Sequence, residues 1–391
     1  MRSSSGAWMR LTGLAAAAAT LLAVVSGATG FEHRLLAAFA LPPLVALVVA
    51  GRLARPRLFA PSLAALALFG IAALVPGEPV HAALAALAFA GTLVAAAQTL
   101  RGERLAAGTW RDYVTLTKPR IMTLLLLTGA CGMVVGARGL PSLWLFAATM
   151  TGLALACGGA SALNHVLDAD IDRLMGKRTQ ERPVAAGRID PGRALEFGLT
   201  LSAFSFVLLA SAVNVLTASL ALAGNLFYVL VYTRWLKRST PQNIVIGGAA
   251  GAVPPLVGWA AATGNLTVPA LFLFLIVFFW TPPHFWALAL LIRDSYAAAR
   301  VPMLPVVRGE RETLRQIVGY TLVLIAVTLL PFAWGTLGIG YAVAALALGG
   351  TFLALTLRLR RSPSRGRASL LFHYSLLYLA LLFVAMALDV L

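Results

Sequence analysis

The sequence predicts an all-α, polytopic membrane protein, with a bundle of nine transmembrane helices preceded by about four more. Hydrophobic residues make up 60% of the 391 residues and charged residues only 12%, and the mean hydropathy is +0.87. A soluble chain is nearer half apolar and a quarter charged. Many segments exceed the roughly 18 apolar residues that indicate a spanning helix. A transmembrane β-barrel would show short segments of alternating polarity, so helices are expected to satisfy the backbone in lipid.

The chain is expected to divide into an N-terminal transmembrane extension, residues 1–105, and a larger domain, residues 106–391. The first 30 residues carry Arg2 and Arg10 before an apolar run, a pattern compatible with a cleaved signal peptide. A retained first span is favoured because more spans follow immediately. The three further candidate spans of the extension are Leu35–Gly51, Leu58–Val75 and Ala82–Leu100.

Nine spans are predicted in the larger domain, after a polar segment that ends at Lys118-Pro-Arg120. They begin near Ile121, Leu143, Leu195, Leu216, Ile244, Pro269, Leu314, Ile339 and Leu370. Loops rich in Arg and Lys alternate with short loops that carry almost no charge. The positive-inside rule therefore places the N-terminus and the basic loops in the cytoplasm and the C-terminus outside, in a multi-pass protein of the cell membrane.

The net charge of +17 does not indicate a nucleic-acid partner, because the bases lie in short loops between spans rather than on one soluble module. The expected surroundings of the chain are therefore a lipid bilayer. Cys131 and Cys157 both lie inside apolar segments, which argues against a disulfide framework or a zinc site.

The most informative stretch ends the second of the nine spans, where Asn164, Asp168 and Asp172 recur at every fourth position. On a helix this spacing places all three on one face, over roughly 12 Å of axis. Such oxygen ligands suit a hard cation such as Mg²⁺, which also takes phosphate oxygens and water. An ordinary charged loop is the alternative, but single-faced acids beside several bases favour a metal–diphosphate site. The adjoining bases are Lys177, Arg178 and Arg182.

Further polar residues lie at other span ends on the same side. They are Lys118 and Arg120 before the first span, Lys237 and Arg238 at the end of the fourth, and Asp294 and Tyr296 after the sixth. Asp294 is predicted to supply a second carboxylate that faces the Asn164 group. Small residues between Gly247 and Gly258 permit close helix approach, or leave room for a flat ligand. His284 lies in an apolar segment beside two prolines, where an unpartnered histidine is costly, so a functional role is favoured.

Together these residues resemble the intramembrane prenyltransferases of the UbiA superfamily, and within it the family of protohaem IX farnesyltransferases, or haem O synthases. The superfamily pattern N-x-x-x-D-x-x-x-D is present as Asn164, Asp168 and Asp172. Motifs similar to those of the haem family are Leu116-Thr-Lys118-Pro-Arg120, Arg182-Pro183, the stretch from Gly247 to Trp259, Pro283-His284-Phe-Trp286 and Val301-Pro-Met-Leu-Pro-Val-Val307. The resemblance covers roughly Trp110 to Leu391.

The resemblance implies a nine-helix UbiA-type bundle that converts haem b to haem O. Farnesyl diphosphate would bind through Mg²⁺ to Asn164, Asp168 and Asp172, with Asp294 in a second metal group. Loss of diphosphate would leave an allylic cation that reacts with a haem vinyl group, and added water would give the hydroxyethylfarnesyl side chain. The implied substrate-binding positions are Lys118, Arg120, Lys177, Arg178, Arg182, Lys237, Arg238, His284 and Tyr296, with His284 as the haem contact.

Two departures from the family pattern bear on this interpretation. The family often has two adjacent acids before the tyrosine, whereas this chain has Asp294-Ser295-Tyr296, so one acid of the second metal group is missing. The N-terminal extension lies outside the family core. Haem O is normally passed to haem A synthase, an expected partner, and the extension could be a fused haem-handling module. It lacks the paired intramembrane histidines of a complete haem A synthase, having only His33 and His81 near span ends, so it is treated as an accessory.

Three rival interpretations are weighed against this one. A UbiA-type enzyme that prenylates a quinone precursor or chlorophyllide would share the Asn164 group but has no reason to carry Pro283-His284-Phe-Trp286. A transporter could use Asp168 and Asp172 as an ion-coupling site, but transporters usually place such residues near the bilayer midplane, in broken helices with repeat symmetry. A structural membrane subunit would not need three polar side chains on one helical face.

Overall fold

The computed structural model describes residues 12–20, 40–49, 62–69, 88–89, 91–92 and 106–391. Within these residues nine helices are long and apolar enough to cross a membrane. We label them α1 Pro119–Ala137, α2 Leu143–Leu167, α3 Pro191–Ala212, α4 Val215–Ser239, α5 Asn243–Thr263, α6 Val268–Leu291, α7 Gly309–Ala333, α8 Ile339–Arg361 and α9 Arg365–Asp389.

The predicted all-α class and the nine spans of the larger domain are confirmed in the described part of the chain. Most predicted starts differ little from the observed ones, but α7 begins at Gly309 rather than Leu314, and α9 at Arg365 rather than Leu370. Both helices open with a charged turn that precedes the apolar stretch. Hydropathy locates the part of a helix in lipid, whereas backbone hydrogen bonds continue into the water-exposed turn.

Short helical stretches at 12–20, 40–49 and 62–69 fall within three of the four spans predicted for the N-terminal extension. Ala16, Leu44, Leu47 and Ala65 from these stretches pack into a small apolar cluster of their own. The ends of those spans, the cleavage or retention of a signal peptide, and the two N-terminal histidines His33 and His81 lie outside the described residues. The division at residue 105 stays a prediction.

The nine helices form a closed bundle in which each helix packs against the next, and α9 returns to α1. The most extensive contacts join α2 to α3 and α1 to the second half of α5, and α6 also packs against α9. The largest apolar cluster is contributed mainly by α6, α7, α8 and α9. Closure around a ring leaves the C-terminal ends of α2 and α4 side by side, and the polar residues lie there.

Small residues let α1 and α5 cross with their backbones in contact. A methyl group added at Gly258 would overlap the carbonyl oxygen of Gly129, and one added at Gly132 would meet that of Pro255. The helical path of α5 is interrupted at Ala252, before its two prolines. The close-approach interpretation of this Gly- and Pro-rich stretch is therefore correct at Gly258.

At the start of this Gly- and Pro-rich stretch, there is less room for a flat ligand than the sequence suggests. An added methyl at Gly247 would overlap the ring of Tyr232, and one at Gly248 would lie 3.0 Å from side-chain atoms of Thr281. Protein side chains thus occupy the space beside these two glycines. Only Gly251 of this group has no atom within 4 Å of the position that a methyl would take.

Candidate metal and diphosphate site

The Asn164–Asp172 segment keeps its helical spacing through a change of helix. α2 ends at Leu167, and a short helix, Ala169–Leu174, follows. The backbone N–H of Asp168 donates to the Asn164 carbonyl at 2.9 Å, and that of Asp172 to the Asp168 carbonyl at 2.8 Å. All three side chains are buried, with 3%, 0% and 0% of their residue surfaces exposed. The structure therefore brings the three oxygen-bearing groups into one buried row.

Each member of this row is paired with one cation from another segment. Lys118 Nζ donates to Asn164 Oδ1 at 2.7 Å, and Lys237 Nζ lies 2.5 Å from Asp168 Oδ2. Arg182 Nη1 donates to both oxygens of Asp172, at 2.7 and 2.9 Å. We call these six residues the charge cluster. Three of its members are cations and two are carboxylates, so the site favours a ligand that brings further negative charge.

One carboxylate oxygen of the charge cluster is left without a partner. Asp168 Oδ2 accepts from Lys237 and from the Asn164 amide at 2.8 Å, but Asp168 Oδ1 is buried with no hydrogen bond in the described structure. A buried acceptor without a donor costs free energy. This oxygen is open to a metal ion or a water molecule.

Lys118 is held in place by its backbone and its surroundings. It has left-handed backbone angles (φ 51°, ψ 59°) where the short helix Trp110–Thr117 ends and α1 begins. That conformation is costly for a residue with a side chain, and such strain is often kept at functional sites. Burial, together with the nearby charges of Arg182 and Lys237, lowers the pKa of Lys118 to about 7. Its charge is therefore sensitive to what binds beside it.

The pKa of Asp172, the second acid of the row, shifts in the opposite direction from that of Asp170, two residues before it. Burial raises the pKa of Asp172, although the Arg182 guanidinium opposes the change. Asp170 points away from the row and pairs with Arg238, whose two nitrogens lie 2.7 Å from its oxygens. That hydrogen-bonded pair lowers the pKa of Asp170 to about 2. Arg238 thus joins α4 to the short helix after α2, and its role as a substrate contact stays a prediction.

A wall of aromatic side chains adjoins the charge cluster. Tyr228 and Tyr232 stack with their centroids 5.5 Å apart on a π-helical stretch of α4, Phe227–Leu236. Thr233 of the same stretch accepts a hydrogen bond from the Asn164 amide at 3.1 Å. π-helices are rare and often mark functional sites. The order of these residues does not distinguish a π-helix from an α-helix, so this arrangement was not predicted from the sequence.

The loop after α6 places Tyr296, but not Asp294, toward the cluster. Tyr296 is buried, and burial raises its pKa to about 12 within the field of Arg182, Asp168 and Asp172. Ser295 approaches Gly176, which follows the acidic row. Asp294 is exposed and makes no ion pair with any residue from 106 to 391. Its place in a second metal group stays a prediction.

Three predicted bases lie at the surface in this ligand-free structure. Arg120 and Arg178 are exposed, and Lys177 is 4.0 Å from Glu181 with 89% of its side chain exposed. In the described chain no three His, Cys, Asp or Glu residues lie close enough together to hold a metal ion. The acidic row supplies two such residues, and its third oxygen donor is the Asn164 amide.

His284 lies in a separate place, where α6 packs against α9. Its ring stacks between Trp280 (centroids 4.3 Å apart) and Phe372 (4.8 Å). Nδ1 lies 2.7 Å from Ser375 Oγ, and that hydroxyl donates to the Phe372 carbonyl at 2.6 Å. Because the serine proton is already used, Nδ1–H is the donor, and Nε2 carries the free lone pair. His284 is thus packed and oriented, with one nitrogen available.

Comparisons with known proteins identify the family of the chain. The sequence profile of the UbiA prenyltransferase family matches residues 125–384, which include seven complete spans, α2 to α8, together with the acidic row, Arg182 and Lys237. The chain belongs to the UbiA prenyltransferase family.

Several curated relatives of this UbiA-family chain carry one name, protoheme IX farnesyltransferase. The protein from Symbiobacterium thermophilum is 55% identical over 282 residues, which are 72% of this chain and 94% of that protein. The protein from Roseiflexus sp. is 54% identical over 279 residues, 71% of this chain, but the chain spans only 52% of its length. The match to the Chloroflexus aurantiacus protein, 47% identical, covers 86% of this chain and 60% of that protein.

Solved structures of UbiA-type proteins share the fold. A digeranylgeranylglyceryl phosphate synthase aligns with a TM-score of 0.61 at 18% identity, covering 72% of this chain and 98% of that one. A UbiA homologue from Archaeoglobus fulgidus, solved with DMAPP and Mg²⁺ bound, aligns with a TM-score of 0.54 at 18% identity, covering 70% of this chain and 99% of that one.

Proposed function

We propose that this chain converts haem b to haem O by transferring a farnesyl group from farnesyl diphosphate to a haem vinyl group. The observation that carries the proposal is the charge cluster, a buried row of oxygen donors with an open Asp168 oxygen and cations on three sides. The choice of haem as acceptor is supported by relatives named protoheme IX farnesyltransferase at 54–55% identity.

The oxygen donors of the charge cluster fit Mg²⁺. Asp168 Oδ1 is buried and unpartnered, and Asp172 and Asn164 contribute further oxygens from the same face. Carboxylate and amide oxygens are the ligands this cation prefers, together with water and phosphate oxygens. When bound, the ion would neutralise charge on the departing diphosphate. Asp294 would reach the metal only if its loop moved inward.

The cations of the charge cluster would hold the diphosphate. Lys118, Lys237 and Arg182 approach the row from three different segments, so they can surround an anion bound against it. Fixed positive charges that stabilise a leaving group accelerate its departure, since they are already in place when the charge develops. As the bond between the farnesyl carbon and the diphosphate oxygen breaks, the electron pair leaves with the diphosphate.

The aromatic wall would protect the allylic cation that remains. The faces of Tyr228 and Tyr232 carry negative charge density that attracts a cation, and their bulk excludes water. The vinyl carbon of haem b then forms the new carbon–carbon bond. Water adds to the resulting cation on the haem side and loses a proton, which completes the hydroxyethylfarnesyl group.

In this proposal His284 is the haem contact. Its Nδ1–H group is engaged by Ser375, so Nε2 is presented as an acceptor or an iron ligand in a fixed ring orientation. Histidines that bind metals commonly donate their other ring N–H to a fixed acceptor in the same way. Trp280 and Phe372 prevent the ring from turning.

The chain is a multi-pass membrane protein, and we propose the cell membrane as its location, with the N-terminus and the charge cluster on the cytoplasmic side and the C-terminus outside. The alternation of basic loops supports this orientation. Residues 106–391 would be the prenyltransferase domain and residues 1–105 an accessory extension. The haem O product would pass to a haem A synthase as partner.

The proposal is tested by incubating the full chain in detergent with haem b, farnesyl diphosphate and Mg²⁺, and analysing the haem by chromatography and mass spectrometry. The expected product is heavier than haem b by one farnesyl group plus water, and EDTA should prevent its formation. Asp168→Asn, inserted and folded, should form nearly none. Unchanged haem b together with prenylation of a phenolic acceptor or chlorophyllide would replace the substrate. No transfer to any acceptor would favour the transporter interpretation.

A further inference from the structure

His165 is a buried histidine of the site region that none of the contacts described above uses. It follows Asn164 directly, and only 1% of its surface is exposed. Neither ring nitrogen, Nδ1 or Nε2, has a hydrogen-bond partner among the described residues. Two unpaired nitrogens in one buried ring cost free energy that a purely structural residue would avoid. The ring is therefore expected to have a partner that this ligand-free structure lacks.

The position of His165 on the helix indicates where that partner binds. Residues 161, 165, 168 and 172 are spaced by four, three and four, so they form one stripe along α2 and the short helix after it. At one end of the stripe, Ser161 Oγ donates to the carbonyl of Leu116 at 2.6 Å, two residues before Lys118. At the other end are Asp168 and Asp172. His165 lies between these two ends.

Two cations of the charge cluster lie within electrostatic reach of the His165 ring. They are Lys118, which pairs with the preceding residue Asn164, and Arg182, which pairs with Asp172. Among the described residues, no carboxylate accepts a hydrogen bond from the ring. A group bound between these two cations would be anionic and would come within reach of an imidazole N–H.

We propose that His165 is a binding residue for the diphosphate group, donating a hydrogen bond from its ring N–H to a diphosphate oxygen between Lys118 and Arg182. The inference rests on the proposed function and adds a fourth donor to its anion site. Its second nitrogen is an acceptor, which a water that enters with the hydrated magnesium ion would satisfy. The imidazole can donate to a phosphate oxygen because neither ring nitrogen has a partner among the described residues.

The test measures binding of inorganic diphosphate with Mg²⁺ to the full chain in detergent by calorimetry. His165→Leu should weaken binding by about tenfold, the effect of one lost hydrogen bond to a charged group. His165→Asn, which keeps an N–H donor, should recover part of that loss. His373→Leu is the matched control, because His373 is an exposed ring on α9 whose Nδ1 is occupied by the Ser369 carbonyl; it should bind as the wild type does.

A second measurement distinguishes a binding role of His165 from a structural role. Thermal unfolding of the ligand-free His165→Leu variant should show an unchanged or raised midpoint, since two unpaired nitrogens are replaced by an apolar group. A lowered midpoint with unchanged diphosphate affinity would make His165 a structural residue and overturn the inference. Wild-type protein that does not bind diphosphate with Mg²⁺ would overturn the proposed function as well, whereas normal wild-type binding with unaltered His165→Leu binding would overturn this inference alone.

Discussion

Lys237 and Asp168 form a buried ion pair whose disruption has a calculable cost. The Lys237 side chain is 10% exposed, that of Asp168 is 1% exposed, and their charged atoms lie 2.5 Å apart. Lys237→Met keeps the length of the side chain and removes the charge, so it leaves a buried carboxylate whose remaining hydrogen bond comes only from the Asn164 amide. Removing one partner of a buried pair costs about 3–5 kcal/mol.

The assay for this cost is denaturant unfolding of the full chain in mixed micelles, without ligand. Lys177→Met is the matched control, because Lys177 is 89% exposed and lies 4.0 Å from its acid, so its loss should cost less than about 1 kcal/mol. The double variant Lys237→Met with Asp168→Asn removes both charges. It should be more stable than the sum of the two single changes predicts, by about 1–3 kcal/mol.

Two outcomes would refute this reasoning. A free energy of unfolding for Lys237→Met equal to that of Lys177→Met would mean that the buried pair does not form in the resting protein. Strict additivity in the double variant would mean that Lys237 acts through its stem rather than through Asp168. Either result would remove the charge cluster as the description of the ligand-free site.

Three further predictions concern the charge cluster, the contact between α1 and α5, and the His284 ring. Burial lowers the pKa of Lys118 to about 7, so its positive charge is lost as the pH rises through 7. The diphosphate affinity of the wild type, relative to that of Lys118→Arg, should therefore fall between about pH 6 and pH 8. Gly258→Ala should lower the free energy of unfolding by about 1–3 kcal/mol, because its methyl would overlap α1, whereas Gly319→Ala, with open space around it, should not. Ser375→Ala removes the acceptor that fixes the Nδ1–H tautomer of His284, so it should weaken haem b binding by about tenfold or more, measured by absorption titration.

Each of these predictions has a contradicting result. Parallel pH profiles for wild type and Lys118→Arg would show that Lys118 does not titrate in this range, since titration of the diphosphate affects both proteins equally. Equal stabilities of Gly258→Ala and Gly319→Ala would mean that α1 and α5 are not in backbone contact. Unchanged haem affinity in Ser375→Ala would mean that the His284 ring oriented by Ser375 does not bind the haem.

The spans and the acidic row were predictable because they depend on local properties. Hydropathy over a window of residues locates a helix in lipid, and a repeat of four places Asn164, Asp168 and Asp172 on one face whatever the rest of the chain does. The family resemblance gave Lys118, Arg182 and Lys237, among other bases, as substrate-binding residues. It did not assign each to its partner, because pairing depends on how α1, α2 and α4 pack.

Other features depend on tertiary contacts that sequence patterns do not record. Asp294 and Ser295 are neighbours in sequence, yet the turn after α6 exposes the first and directs the second toward Gly176. The π-helical stretch of α4 requires a change of backbone hydrogen bonds that propensities do not indicate. The sequence gives one indication for His165, which lies three residues before Asp168 on the same helical stripe. That position becomes informative only once the structure shows that neither ring nitrogen has a partner among the described residues.

The pairing within the charge cluster makes ligand binding an exchange of counter-ions. Mg²⁺ alone would take the carboxylates from Lys237 and Arg182 and leave these two cations unbalanced at the site. Diphosphate alone would draw the same cations away and leave Asp168 and Asp172 unbalanced. Only the two together restore neutrality, so each should bind weakly alone and strengthen the affinity of the other. A protein built this way responds to the complex of metal ion and diphosphate rather than to either part alone.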